Sequence, residues 1–306
     1  MMSRFKLFLP YASLIAAALL FAVLTDGRFI SGGNVALLLN QTFTVVLVSM
    51  GTTIIYAHGG MDFSVGAVLA LSQVVAVLVY RATGVPALLL IFSVLTAGLC
   101  GFITGTITIR LNITPFISSL CMQFAARGVV NSVLTGHSIG VSELRDPNWW
   151  LKLPVLLVIL AFMFVVLKYS RIGKYNKAIG ENIRAAEISG IDTKKYRMLA
   201  YLISGVILGI ASFFELLRNG TVTTNVGQNL ELNVIIALVL GGMSLTGGYT
   251  VSVRSAVIGS FIVVMLVNGL TMLGLKSEYI GIIQGIIFLL VVLSTYKRDR
   301  KGLLPR

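Results

Sequence analysis

The sequence predicts an all-α integral membrane protein with about ten transmembrane helices. Hydrophobic residues make up 57% of its 306 residues and charged residues only 11%, whereas an average soluble domain is roughly 25% charged. Apolar runs close to the ~20 residues that a membrane helix needs recur along almost the whole chain. These runs lack the polar face that a soluble helix turns toward water. The bilayer is therefore the predicted solvent for most of the chain.

Ten apolar segments are predicted as spans, joined by short connections. No soluble domain fits between them, so the chain is predicted to form a single transmembrane domain over residues 1–306. The first span is longer than the ~7–15-residue apolar core of a signal peptide, which favours a retained helix over a cleaved leader. The predicted spans are Leu7–Leu24, Val35–Ala57, Ser64–Tyr80, Pro86–Ile109, Ile113–Leu134, Leu153–Leu167, Met198–Leu217, Leu232–Leu245, Ser255–Leu273 and Tyr279–Tyr296.

The lysines and arginines between these spans indicate how the chain is oriented. If the N-terminus is cytoplasmic, 17 basic residues fall on the cytoplasmic side and six on the outer side, with Arg127 inside a span. Cytoplasmic loops of membrane proteins carry such an excess of positive charge. Both termini are therefore predicted to be cytoplasmic. The same distribution accounts for the net charge of +13, so no nucleic-acid partner is expected.

Nothing in the sequence predicts catalysis. Cys100 and Cys121 both lie in apolar segments, which argues against a disulfide framework or a metal site. His58 and His137 stand apart from any nucleophile or carboxylate pair. No glycine cluster has the GK[ST] ending of a phosphate-binding loop. We therefore expect no catalytic residue, no metal and no cofactor in this chain, and an energy source outside it.

Two glycine-rich octets are predicted to interrupt spans. Residues 59–66 read GGMDFSVG and residues 241–248 read GGMSLTGG, a similarity that fits either an internal duplication or chance. Irregular backbone at membrane depth persists only where protein or a water-filled cavity satisfies it, and interrupted helices are a pointer to transport sites. Asp62 and Ser64 also precede the third span, so capping of that helix is the alternative interpretation.

Polar side chains inside the spans are the other candidates for a solute pathway. Ionisable groups in a membrane are costly and usually face a bundle interior or a cavity. Hydrogen bonding between helices is the alternative role. With the first glycine segment, the predicted pathway residues are Asp62, Ser64, Asn40, Gln41, Ser118, Gln123, Arg127, Asn131 and Asn268.

The polar interval at about residues 168–197 contains an amphipathic pattern. Ile179, Ile183, Ala186 and Gly190 recur at helical spacing, and the opposite face is charged. One short helix is therefore predicted here. Such a helix either lies on the membrane surface or docks into a groove of a partner protein.

The order of motifs resembles a known family. AIGENIRAAEISGI at residues 178–191, SGVILGIASFFELLR at 204–218, ELNVIIALVLGGMSLTGG at 231–248 and NGLTMLGL at 268–275 follow GGMDFSVGAVLAL and TPFISSL. Together they resemble the ribose-type branch of ABC importer permeases, in the superfamily shared with branched-chain amino acid permeases. The resemblance runs from about Asn34 to Leu293. Thr250 departs from the glycine common there, while Met61 and Phe63 are conservative replacements.

This resemblance implies a role and partners. Such permeases carry one solute, here a monosaccharide, across a bacterial-type plasma (inner) membrane by alternating access. They work with a second permease chain, an ABC ATPase subunit that binds ATP, and an extracytoplasmic solute-binding protein. Their cytoplasmic segment is the coupling helix that contacts the ATPase. By this resemblance, the residues expected to contact the ATPase are Gly180, Asn182, Ala185, Ala186, Gly190 and Ile191. An amino-acid importer permease and a ten-helix secondary transporter are the alternatives.

Overall fold

The computed structural model describes residues 2–145, 149–244 and 247–295. Within these ranges the chain forms twelve α-helices and one short two-stranded β-ribbon, which confirms the predicted all-α class. The helices are α1 Met2–Leu24, α2 Gly32–Ala57, α3 Val65–Thr83, α4 Ala87–Arg110, α5 Pro115–Leu134, α6 Trp149–Lys168, α7 Arg171–Glu181, α8 Ile183–Ile188, α9 Thr193–Asn219, α10 Leu230–Leu240, α11 Val253–Met272 and α12 Ser277–Thr295.

Six helices in the described ranges are long and apolar enough to cross a membrane. They are α2, α3, α4, α9 and α11 in full and α6 from Trp150 to Lys168. Shorter apolar stretches occupy Pro10–Leu24 of α1, all of α10, and Ser277–Leu290 of α12. The chain is therefore a multi-pass membrane protein, and length and composition alone support six of the ten predicted spans.

The helix bundle has two distinguishable ends. Strand β1, Ile139–Gly140, pairs antiparallel with β2, Thr221–Val222, and we call this the β end. Helices α7 and α8 lie at the other, which we call the α7 end. Helix α9 joins the two, because it begins shortly after α8 and ends just before β2. Its 27 residues measure about 40 Å at 1.5 Å per residue.

Small residues bring α9 close to α4. A β-carbon at Gly205 would lie 2.7 Å from the carbonyl oxygen of Ala97, and one at Gly101 would lie 2.7 Å from that of Tyr201. Gly209 would meet the backbone of Ser93 in the same way. Backbone contact of this kind is how membrane helices associate where water supplies no hydrophobic driving force.

Non-helical backbone enters the bundle before α10. Residues 223–229 follow β2 at the β end and lead into α10, whose 11 residues span only about 16 Å. Helix α10 then packs antiparallel to α11, with Gly259 against Ala237 and Gly241 against Ser255. Helix α10 therefore begins part-way through the bundle. Residues 223–229 form what we call the re-entrant segment.

The predicted interruption of this span was placed wrongly. The sequence put it at 241–248, within a span Leu232–Leu245, but α10 ends at Leu240 and Gly241 begins the turn toward α11. The interruption lies instead in the re-entrant segment. There Gly227 and Asn229 both have positive φ, at 71° and 60°, a conformation that glycine adopts freely and asparagine tolerates.

The amphipathic stretch forms two helices rather than the predicted one. Asn182 has φ −160° and ψ 109°, so α7 ends before it and α8 begins after it. Its side-chain oxygen accepts a hydrogen bond from the N–H of Ala185 at 3.0 Å, as a good N-cap residue does. Gly190, with φ 80°, follows the end of α8. The break at Asn182 separates Ile179 from Ile183 and Ala186, and Gly190 lies beyond α8, so the four residues do not share the one helical face predicted for them.

Candidate solute pathway

The end of α2 is fixed to α7 by a buried polar group. The ring nitrogen Nδ1 of His58 lies 3.1 Å from Oδ1 of Asn176. The amide nitrogen of Asn176 donates to the carbonyls of Ile172 and Tyr196, at 2.9 and 3.1 Å. Burial lowers the pKa of His58 to about 3, and the positive charge of Arg197 lowers it further while the Asn176 hydrogen bond opposes the shift. The imidazole is therefore neutral and donates from Nδ1.

The two glycine octets meet at the α7 end. A β-carbon at Gly247 would collide with the carbonyl of Tyr56, and one at Gly180 would collide with that of Ala57. Glu181, beside Gly180, accepts a hydrogen bond from the backbone N–H of Tyr249 at 2.9 Å. The end of α7 therefore contacts the end of α2 and the second glycine octet, and a β-carbon at Gly247 of that octet would also lie 2.8 Å from the backbone nitrogen of Gly59 in the first.

Asp62 organises the turn into α3. Its Oδ1 accepts from the backbone N–H of Ser64 at 2.8 Å and from the Ser64 hydroxyl at 2.6 Å. Ser64 makes no side-chain hydrogen bond to the helix it precedes. The capping interpretation is thus replaced by a local turn in which the Asp62 carboxylate is the acceptor.

Helix α5 holds the re-entrant segment through its polar residues. Nη1 of Arg127 donates to the carbonyls of Thr224 and Val226, at 3.1 and 2.8 Å. One turn away, the amide of Gln123 donates to Glu231, the second residue of α10, at 3.4 Å. Arg127 therefore satisfies two backbone carbonyls of the re-entrant segment, whereas Gln123 bonds a side chain at the start of α10.

The remaining predicted pathway residues are dispersed. Asn268 exchanges two amide hydrogen bonds with Asn34, at 3.0 and 3.1 Å, and Ser118 bonds the hydroxyl of Thr108 at 2.5 Å. Asn131 is exposed on α5, while Asn40 accepts from Lys152 at 2.7 Å. Helix-to-helix hydrogen bonding, the alternative role, describes Asn268, Ser118 and Asn40.

A cavity of about 350 Å³ opens near the β end. It lies between α2, α9, the re-entrant segment, α10 and α11. Nine of its sixteen lining residues are polar. The lining comprises Gln41, Thr44, Val45, Glu215, Arg218, Asn219, Thr223, Asn225, Val226, Gly227, Gln228, Leu230, Asn233, Val263, Val264 and Val267.

Of the predicted pathway residues, Gln41 alone lines this cavity. Sequence reasoning missed Glu215, Asn225, Gln228 and Asn233. The signal for Glu215 was available, because it is an ionisable residue inside a predicted span. Asn225 and Gln228 precede the predicted span Leu232–Leu245, and Asn233 is its second residue. A helix predicted at that position gives no sign that the backbone before it turns into the bundle.

The charged groups of the cavity are paired. Nη2 of Arg218 lies 3.6 Å from Oε1 of Glu215. Arg218 also donates to the carbonyl of Asn40 at 3.2 Å and to the side chain of Asn219 at 3.3 Å. Oε2 of Glu215 is buried and has no hydrogen-bond partner among the described residues. Within those same residues, no group of three or more His, Cys, Asp or Glu could hold a metal ion.

The sequence was also compared with known proteins. The ribose import permease protein of Escherichia coli strain K12 is 32% identical over 302 residues, covering 94% of each chain. The galactofuranose transporter permease protein of the same strain is 31% identical, over 94% of this chain and 86% of its own. The fructose import permease protein of Rhizobium meliloti is 26% identical, over 92% and 83%. No solved structure matches.

A family profile gives the assignment. The profile described as branched-chain amino acid transport system / permease component matches residues 34–292. This range includes both glycine-rich segments, α7, α8 and every lining residue of the cavity, and it agrees with the resemblance seen in the motifs. The chain belongs to this family of transport-system permease components.

Proposed function

We propose that the chain is the membrane-spanning permease subunit of an ATP-driven ABC importer, and that it translocates a monosaccharide by alternating access. One observation carries the proposal: relatives that match more than nine-tenths of this chain are import permeases for ribose and fructose and a transporter permease for galactofuranose. ATP is bound and hydrolysed on a separate ATPase subunit in this proposal, and the permease itself is not an enzyme.

A branched-chain amino acid is the second candidate solute, because the family description names one. The lining of the cavity favours the sugar. An amino acid is a zwitterion at neutral pH and needs a free cation and a free anion, whereas Glu215 and Arg218 are paired with each other. Membership of a family of transport-system components argues against a secondary transporter that works alone.

The proposed topology has ten membrane crossings and a cytoplasmic α7 end. Pro10 of α1 approaches Gly242, and the Tyr11 ring lies 5.9 Å from the guanidinium of Arg254, so α1 begins at the α7 end. Helix α12 runs toward the same end, since α11 arrives at the β end. The concentration of basic residues between 168 and 197 supports the cytoplasmic assignment.

The coupling role is proposed for the surface around α8. Ile188 is 89% exposed and Ile183 is 40% exposed, so α8 offers apolar side chains to a partner. Asn182, Ala185 and Gly190 are also exposed. Among the other predicted coupling residues, Ile191 is partly buried, whereas Ala186 is buried and Gly180 packs on α2. Those last two would act by holding the segment in place.

The other partners follow from the same proposal. A second permease chain, identical or paralogous, would complete the pathway, and an extracytoplasmic binding protein would deliver solute at the β end, where the cavity opens. Lipid contacts the exposed apolar faces of the bundle.

Reconstitution tests the function directly. The permease is assembled with its ATPase and cognate binding protein in liposomes, and uptake of radiolabelled D-ribose, D-fructose and L-leucine is measured. We expect sugar uptake that requires ATP on the ATPase side and the binding protein outside. Uptake of leucine alone would favour the amino-acid candidate, and uptake driven by an ion gradient without ATP would contradict the proposal.

A further inference from the structure

We propose that the cavity at the β end is a solute site within the permease, which binds one neutral polyhydroxy compound of monosaccharide size. The proposal rests on the proposed function and extends it, because it gives the permease its own recognition of solute after the binding protein releases it. Only Gln41 of its lining is among the pathway residues predicted from the sequence.

The dimensions of the cavity suit a small solute. Its volume of about 350 Å³ lies within the roughly 300–1,000 Å³ of small-molecule sites. Gly227 forms part of the lining, and behind it a β-carbon would collide with the carbonyl of Gly66 in α3. The backbones of the re-entrant segment and α3 therefore touch beside the cavity.

The lining has the chemistry of a hydroxyl-binding site. Five of the lining residues carry side-chain amides, and each amide offers both donors and an acceptor, as a sugar hydroxyl requires. Two of these amides are oriented by neighbours: Gln228 donates to Asn225 at 3.2 Å, and Asn233 accepts from Gln284. The second of these bonds uses the Asn233 oxygen, so the Asn233 side-chain nitrogen, which has no acceptor among the described residues, can donate to a solute oxygen. Such preorganisation lowers the entropy lost on binding.

The charge distribution selects a neutral solute. The 3.6 Å contact between Glu215 and Arg218 makes the lining neutral overall, so an ionic solute would have to separate this pair. Oε2 of Glu215 is buried without a donor among the described residues, and such an acceptor is costly to leave unsatisfied. Because Glu215 lines the cavity, a turn of its side chain toward a bound solute would let a solute hydroxyl supply the missing donor.

Direct binding tests the site. The complex of permease and ATPase is placed in lipid nanodiscs without binding protein, and D-ribose, D-fructose and D-galactose are titrated, with binding followed by saturation-transfer NMR. We expect saturable binding of at least one sugar. Glu215→Gln should weaken it about tenfold or more, since a hydrogen bond to a charged group is worth about that much. Thr44→Phe, which places a phenyl ring in the cavity, should abolish it.

The matched control is Glu143→Gln, a carboxylate-to-amide change at an exposed position outside the cavity lining, which should leave binding unchanged. If Glu215→Gln fails to assemble, Gln228→Ala is tested in its place. The Gln228 side chain is exposed, and substitutions at exposed positions usually change stability little. Absence of sugar binding by the wild-type complex would overturn the site. The site would also be overturned if wild type, Thr44→Phe and the polar variant that assembles (Glu215→Gln or Gln228→Ala) all bound the sugar with equal affinity.

Uptake measured in parallel separates this inference from the proposed function. ATP-dependent sugar uptake with an unchanged KM in Thr44→Phe and in the assembling polar variant would reject the site and keep the importer. If wild type binds sugar, these variants weaken the binding, and no ATP-dependent uptake is seen, the solute site is supported and the importer function is rejected.

Discussion

The carboxylate of Glu181, the last residue of α7, accepts a hydrogen bond from the backbone N–H of Tyr249 at 2.9 Å. The contact is close enough that a β-carbon at Gly248 would strike the same carboxylate. It joins the proposed coupling segment to the second glycine octet. A shift of α7 therefore either breaks this bond or carries residues 248 and 249 with it.

Loss of this bond should uncouple ATP hydrolysis from transport. In Glu181→Ala the Tyr249 N–H loses its acceptor, and we expect the ATPase stimulation by sugar-loaded binding protein to fall several-fold while the subunits still assemble. Glu181→Gln keeps a carbonyl oxygen as acceptor and should retain most of the stimulation. Stimulation is measured in liposomes at equal complex content. Wild-type stimulation in Glu181→Ala would contradict a role for this contact.

The packing of Gly180 makes a second prediction. In Gly180→Ala the new methyl group would collide with the Ala57 carbonyl and lie 2.8 Å from the backbone nitrogen of Gly248. Overpacking of this kind typically costs about 1–3 kcal/mol, so the thermal unfolding midpoint of the complex should fall. Gly281→Ala is the matched control, since a β-carbon there meets nothing within 4 Å. It should be neutral or stabilising by up to about 1 kcal/mol, and a larger loss in the control than in Gly180→Ala would refute the argument.

The contact between α5 and the re-entrant segment makes a third prediction. Arg127→Met leaves the carbonyls of Thr224 and Val226 without their donor, and an unsatisfied buried acceptor costs about 1–3 kcal/mol. Amide hydrogen exchange in residues 223–229 should accelerate, and transport should fall. Arg127→Lys can still donate to one carbonyl and should be intermediate. Unchanged exchange in Arg127→Met would show that the segment holds its shape without this side chain.

The topology makes a fourth prediction. In a variant whose Cys100 and Cys121 are replaced by serine, cysteines introduced at Glu143 and Lys174 should react from opposite sides of the membrane. Both parent positions are exposed, and they lie at the β end and in α7, respectively. A membrane-impermeant maleimide should label position 143 from outside intact cells and position 174 only after permeabilisation. Labelling of both from one side would overturn the proposed arrangement.

How far the sequence predicts this molecule depends on the kind of feature. Apolar runs predict where helices lie, because the bilayer demands them, and the boundary at Ala57 is the same in prediction and structure. The break at Asn182 reflects the preference of asparagine for the N-cap position. The helical spacing of Ile179 and Ile183 instead suggested one continuous helix. In both cases the deciding information is local, so both could be read from the sequence.

The cavity could not be predicted, because its cause is not local. The re-entrant segment contains Gly227 and Asn229, which signal a turn, but their sequence does not say whether the turn lies outside the bundle or within it. Its position is set by Arg127, a hundred residues away, and by the contact between Gly227 and Gly66. The neutral pairing of Glu215 with Arg218 is local, at spacing i, i+3, and could have been read from α9.

The last prediction concerns pH and follows from His58, which lies just beyond the end of α2. Its folded-state pKa is about 3, while an unfolded histidine titrates near 6.5. Protonation would place a charge in a buried site whose Nε2 has no partner among the described residues. The unfolded chain therefore binds this proton first as pH falls, and the folded state loses stability progressively from pH 6.5 toward pH 3.

Between pH 6.5 and 4.5 this group should lower the free energy of unfolding by about 2 kcal/mol, at 1.36 kcal/mol per pKa unit. Above pH 7 its contribution should be constant. His58→Gln, whose amide can still donate to Asn176, should remove that part of the acid sensitivity and leave the behaviour above pH 7 similar to wild type. Thermal unfolding of the detergent-purified complex, followed at half-unit pH steps, measures both profiles. Parallel profiles for wild type and His58→Gln between pH 6.5 and 4.5 would show that burial does not hold this imidazole neutral.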